Sequence, residues 1–140
     1  MDDVSGARMS WSNMNNEGVM RRVLFSHPPY KKGTGYVFAR YRVKIPAKGL
    51  ILSTKLAKSV GSTPGDGILF RVAVRTDPES ALETVCEQTV TDYRWHDFSA
   101  DLSRWAGRKI DLYLISDPGP ADNTYGDGGG WGDLELILKN

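Results

Sequence analysis

The sequence predicts an all-β protein, an antiparallel β-sandwich of jelly-roll type with about eight strands. Three observations predict it. Apolar and polar residues alternate with a period of two along much of the chain. Clusters of Gly, Pro, Asp and Ser punctuate those runs at short, regular spacing. No stretch sustains helical periodicity beyond one short turn, expected near Asp101–Gly107.

Met1 to Asn16 is polar and shows no sustained period, so a flexible or loosely packed segment is expected over 1–17, followed by a single sandwich domain over 18–140. Trp11 is the exception, an aromatic placed either to cover a sheet edge or within a tail. Gly18 to Ser26 reads as a strand that His27-Pro28-Pro29 stops, since neither proline can donate to a ladder. Gly35 to Ile45 alternates most cleanly. Val37, Ala39, Tyr41, Val43 and Ile45 share the inward face, and Tyr36, Phe38, Arg40, Arg42 and Lys44 the outward one. Leu50 to Leu56 alternates again after the Pro46 turn. The turn-rich Ser62 to Gly67 leads into the inward row Ile68, Phe70, Val72 and Val74, with Arg71 and Arg75 outward. Leu82 to Val90 is rich in β-branched residues and carries Cys86, and Tyr93 to Ala100 is the next strand. Asp101 can cap the short helical turn with its carboxylate. Gly107 can end the turn in the left-handed region, with Leu102 and Trp105 facing the core. Ile110, Leu112 and Leu114 then share one face, as do Leu134, Leu136 and Leu138.

The 140 residues suffice for one domain with a real core. Lysine plus arginine number 18 against 17 for aspartate plus glutamate, a net charge of +1. That balance gives no general attraction to nucleic acid or to an anionic membrane surface. No apolar run approaches a membrane span, so no membrane insertion is expected. The first residues lack the basic and apolar regions of a signal peptide. One cysteine excludes an internal disulfide and a multi-cysteine metal site.

The chemistry-bearing stretch is Asp117 to Trp131, DPGPADNTYGDGGGW. Sugars are held by an aromatic face under the ring and by placed polar groups at the hydroxyls. Tyr125 and Trp131 can supply the face; Asp122, Asn123 and Asp127 can supply the polar groups. The alternative is a solvated loop whose glycines serve turns, with Trp131 entering a core strand. The same oxygens, Asp122, Asn123 and Asp127, suit a Ca2+ ion, or else ordinary Asx turns. His27, with Tyr30 beyond the prolines, can grip a sugar hydroxyl or fix the turn. Asp66 and Asp133 read as buried residues that fix loop geometry. The outward arginines can meet uronate or sulfate groups, or form a solvated face.

Three pieces in order carry a resemblance: SHPP, DGILFRVAV, and W…DLSRWAG…IDLYLISDPG…WGDLEL. This series resembles the NPCBM type and related galactose-binding-like jelly rolls of bacterial polysaccharide-degrading enzymes and cell-surface proteins, over roughly Gly18 to Leu138. The resemblance implies a non-catalytic carbohydrate-binding module, often with a structural calcium ion. In that pattern an aspartate precedes a tryptophan that another aspartate closely follows, and Asp127, Trp131 and Asp133 match. Gly128, Gly129 and Gly130 depart from it, removing side chains that would reach sugar or metal.

The expected function is therefore non-catalytic binding of a polysaccharide at the loop end of the sandwich, by a secreted or cell-surface module of a larger multidomain protein. Two alternatives stand beside it. One is a protein-interaction or scaffold domain. The other is a sandwich-fold polysaccharide-degrading enzyme, which would need two carboxylates flanking the bond; Asp97, Asp101 and Asp111 are acids without any mark of such a pair.

Overall fold

The computed structural model describes residues 8–27, 36–59, 67–117 and 128–139. Its elements are β1 (Arg8–Asn16), β2 (Val19–His27), β3 (Val37–Lys44), β4 (Leu50–Lys58), β5 (Ile68–Arg75), β6 (Glu83–Val90), β7 (His96–Asp101), a single 3-10 turn (Ser103–Trp105), β8 (Lys109–Asp117) and β9 (Gly129–Leu138). They form two sheets of five and four strands, ordered β1-β2-β9-β4-β7 and β3-β8-β5-β6. Every pairing is antiparallel. The all-β sandwich is the fold class the sequence predicts, with nine described strands rather than about eight.

The period-two rows become the two inner faces. Leu50, Leu52 and Leu56 of β4 meet Ile68, Phe70, Val72 and Val74 of β5 and Ile110, Leu112 and Leu114 of β8 in one buried cluster. Each such aliphatic side chain contributes roughly 1.5–3 kcal/mol when fully removed from water. The 3-10 turn closes one end of this core. Ser103 N–H donates to Asp101 Oδ1 at 2.9 Å, Leu102 and Trp105 are buried, and Gly107 adopts φ 81°, as the capping residues imply.

The segment expected to be loosely packed is corrected over residues 8–16. It forms β1, paired with β2 along its whole length from Arg8↔His27 to Asn16↔Val19. The turn between them is Glu17-Gly18, both at positive φ, 54° and 80°, as a two-residue hairpin loop of type I′ requires. Asn16 is buried and its side-chain amide donates to the Lys58 carbonyl at 2.6 Å and the Tyr93 carbonyl at 2.9 Å. The sandwich therefore begins ahead of the expected 17/18 boundary.

β9 carries an irregularity that decides where Trp131 points. Lys55 pairs Gly132 while Ser53 pairs Glu135, so Asp133 and Leu134 together face Thr54. Such a bulge inserts one residue and resets the side-chain phase. Asp133 takes φ 47° at this point, and Thr54 Oγ1 donates to the Gly132 carbonyl at 2.7 Å. Strict alternation would put Trp131 opposite to Leu134, Leu136 and Leu138. The bulge puts it on their face of the sheet, where Trp131 is buried while Leu136 and Leu138, farther along the strand, are about half exposed.

The glycines before Trp131 are there for space. β9 runs between β2 and β4. A Cβ on Gly129 would stand 2.7 Å from Ile68 Cδ1 and 2.8 Å from the Ala57 carbonyl oxygen, and one on Gly130 3.0 Å from Val23.

Candidate functional site

Trp131, expected as half of a sugar-stacking face, is instead a core residue with 0% exposure. Its indole meets Phe70 edge-on at 5.2 Å and Phe98 at 6.2 Å between centroids, and its Nε1 donates to Ser116 Oγ at 3.3 Å. It has no face to offer a ligand. Asp133 is corrected as well: its side chain is half exposed and ion-paired to Arg21 rather than buried against loop backbone. His27 is the half-buried last residue of β2. Tyr30, Asp66, Asp122, Asn123, Tyr125 and Asp127 lie outside the described residues. Among the described residues no group of three or more His, Cys, Asp or Glu is placed to hold a metal ion.

The strand ends do converge. His27, Lys58 and Gly129 sit at one end of the five-stranded sheet; Val37, Asp117 and Ile68 sit at one end of the four-stranded sheet. The Ser26 and Ser116 hydroxyls, 2.6 Å apart, tie these two ends together. β2, β4 and β8 thus end, and β3, β5 and β9 begin, at one end of the sandwich.

From that end an aromatic run passes onto the outer face of the four-stranded sheet. Tyr36 and Phe38 are 53% and 48% exposed. Their centroids are 6.2 Å apart, and Phe38 lies 5.4 Å from Tyr113. Tyr113 is on β8, directly across from Arg40 of β3 and Ala73 of β5. With Ile115 and Ala73 it makes a small buried apolar patch on the outside of the sheet, separate from the main core. Sequence alternation placed Phe38 and Tyr36 outward, but only strand order shows that Tyr113 joins them.

Polar groups surround the patch. Arg42 pairs with Asp111 at 3.2 Å and Arg71 with Glu87 at 3.1 Å. Arg75 donates to the Tyr113 hydroxyl, and its guanidinium carbon stands 5.4 Å from that ring's centroid. Its Nε is buried without a hydrogen-bond partner among the described residues. An apolar platform bordered by fixed donors and acceptors is the composition that ring-bearing, hydroxyl-rich ligands need.

A concavity of about 320 Å³ opens between the sheets at the β1 and β3 edge, with Trp11, Tyr41, Arg42, Leu134, Glu135 and Leu136 among its walls. Trp11 is thus an edge residue of the sandwich, not part of a tail. Aliphatic side chains make up most of this cleft, and Trp11, Tyr41, Arg42 and Glu135 are its polar and aromatic members.

The acids that hydrolysis would require are dispersed. Asp97 and Asp101 lie on the outer face of the five-stranded sheet and Asp111 on the outer face of the other. The first two are four residues apart on one strand, roughly 13 Å, beyond the roughly 5–10 Å that a hydrolytic pair spans. The Lys55 ammonium holds the Asp97 carboxyl below the usual carboxylate range. Lys139 and Ser103 together hold Asp101 far below it. A general acid needs a shift the other way.

No protein-family model matches the chain. An uncharacterized protein of Archaeoglobus fulgidus is 29% identical over 127 residues, an alignment that covers 81% of this chain and 30% of that protein. The chain thus spans less than a third of its curated relative. Solved structures share the fold. TmCBM61 in complex with β-1,4-galactotriose superposes with a TM-score of 0.57 at 13% identity, covering 97% of this chain and 90% of that one. The CBM22-1–GH10 modules of the Clostridium thermocellum xylanase 10B, complexed with xylohexaose, give 0.58 at 14% identity, covering 96% and 25%. The Clostridium perfringens ZmpB structure, an M60 catalytic domain with two CBM51 domains, gives 0.51 at 14% identity, covering 100% and 14%. The structural likeness is one of fold: a β-sandwich of the kind built by carbohydrate-binding modules.

Proposed function

We propose that this domain is a non-catalytic carbohydrate-binding module whose glycan lies across the outer face of the four-stranded sheet, starting from the end where β3, β5 and β9 begin. The observation that carries this reading is the pair of half-exposed rings Tyr36 and Phe38, backed by the buried Tyr113 that Arg75 fixes. The shared fold with modules solved in complex with galactotriose and xylohexaose supports it. So do the dispersed, cation-paired carboxylates, which suit retention rather than cleavage. The reading extends to Tyr30, Tyr125 and Asp127, which belong in sequence to the connections joining these strand ends. It also makes the chain one module of a larger secreted or cell-surface protein.

The test is a glycan array followed by calorimetry on Phe38→Ala. Removing a half-exposed ring forfeits about 1–2 kcal/mol of apolar contact with the ligand, so binding weakens about tenfold. Stability falls by no more than about 1 kcal/mol. Undiminished affinity in Phe38→Ala would remove the outer face from the binding site.

A further inference from the structure

The outer face that carries the proposed glycan site is also where the chain concentrates positive charge. Side chains alternating with the buried Ile110, Leu112 and Leu114 point outward, and register places their neighbours in rows. Lys44 stands across from Lys109, and Arg42 across from Asp111 with Arg75 beyond. Arg40 stands across from Tyr113, and Phe38 across from Ile115 with Arg71 beyond. On β6, Glu87 faces Arg71. The face therefore presents Arg40, Arg42, Lys44, Arg71, Arg75 and Lys109 against only Asp111, Asp117 and Glu87. The whole chain is nearly neutral at +1, so the excess here is local and is offset elsewhere.

The excess is not used up internally. Asp111 is taken by Arg42 and Glu87 by Arg71. Among the described residues, Arg40 and Arg75 have no carboxylate partner. These two flank the same ring: Arg40 is the direct cross-strand neighbour of Tyr113, and Arg75 is stacked on it. Two like charges held near one aromatic ring, neither with a carboxylate partner among the described residues, leave guanidinium donors that an anion can take. Guanidinium groups take carboxylate and sulfate oxygens in paired hydrogen bonds.

We infer that the outer face selects an anionic glycan, one bearing uronate carboxylates or sulfate esters, with the sugar ring against the half-exposed Tyr36 and Phe38 and the anion between Arg40 and Arg75. This rests on the glycan-binding reading of the same face and names the ligand's charge class. Because the pair is near solvent, the preference is salt-sensitive.

The experiment is calorimetry of the intact domain with three polymers: a polygalacturonate, a sulfated galactan and a neutral galactan, at low salt and again at about 0.5 M NaCl, where the Debye length is only several ångströms. At least one of the two acidic polymers binds about tenfold tighter than the neutral one at low salt, and the advantage shrinks at high salt. Which acidic polymer leads distinguishes carboxylate from sulfate. Arg40→Gln, an exposed side chain with no ion pair among the described residues, erases the advantage. Neutral polymer bound as tightly as both acidic ones overturns the inference, as does an acidic preference untouched by Arg40→Gln. If the neutral polymer binds and Phe38→Ala weakens that binding about tenfold while no acidic preference exists, the module reading stands and only the charge selectivity fails. Failure of all three polymers, together with a blank glycan array, overturns both.

Discussion

Replacing Trp131 with alanine separates a core role from a ligand role in one variant. The indole is wholly buried, packs edge-on against Phe70 and Phe98 from different strands, and bonds the Ser116 hydroxyl. Truncating a buried aromatic to alanine costs about 3–5 kcal/mol from lost burial and the cavity left behind. The two edge-to-face contacts place this site at the upper end of that range. Against a total stability of about 5–15 kcal/mol for a domain of this kind, Trp131→Ala removes a third of it or more, and Tm falls by about 15 °C. Trp131→Phe keeps a ring against Phe70 and loses the indole bond to Ser116, for about 1–2 kcal/mol. Urea unfolding followed by far-UV circular dichroism measures both without relying on the fluorophore being changed. An exposed sugar platform would give the opposite pattern, a stability change within about 0.5 kcal/mol and lost glycan binding. That outcome would refute the placement of β9, and with it the bulge at Asp133.

Two further outcomes follow from local geometry. Glu17 holds φ 54° in the β1–β2 turn, a conformation that costs a side-chain-bearing residue roughly 1–2 kcal/mol and that asparagine tolerates better. Glu17→Asn therefore raises stability by about 0.5–1 kcal/mol in urea unfolding; a loss instead would mean the turn is not of this type. The second concerns pH. Asp77, Asp92, Asp97 and Asp101 are all held below the ordinary value of 3.8, by hydrogen bonds from Ser80, His96, Lys55 and Lys139 respectively. Carboxylates lowered in the folded state stabilise it above that value and lose the contribution as pH falls through their folded values. The urea midpoint is accordingly flat between about pH 7 and 5 and declines below about pH 4, less steeply at high salt because all four groups are near the surface. A midpoint that holds constant well below 3.8 would contradict these contacts.

The sequence exposed the inner faces because their alternation is undisturbed: the rows of β4, β5 and β8 are legible residue by residue, and so are Asp101 and Gly107 around the 3-10 turn. It concealed β1 because RMSWSNMNN is the strand of an edge hairpin, with polar residues at nearly every position and no Asn-Gly or Asp-Gly to announce the turn. It left Trp131 undecided because a bulge shifts phase without a residue signature; an aspartate at positive φ is not visible in one letter. The candidate site was half legible. Tyr36, Phe38 and the arginines could be put on one side of their own strands. Their convergence around Tyr113 depends on β3, β8 and β5 being neighbours, which is information about strand order and not about any single segment.

Binding of glycan on the outer face of the four-stranded sheet is tested most directly by titrating the isotope-labelled domain with the best-binding glycan from the array and following backbone amide shifts. The account predicts that the largest changes fall on Tyr36, Phe38 and Arg40 of the β3 strand and its approach, on Tyr113 of β8, and on Arg71 and Arg75 of β5. Changes confined to the cleft of Trp11, Tyr41 and Leu136, with the outer face silent, would contradict it.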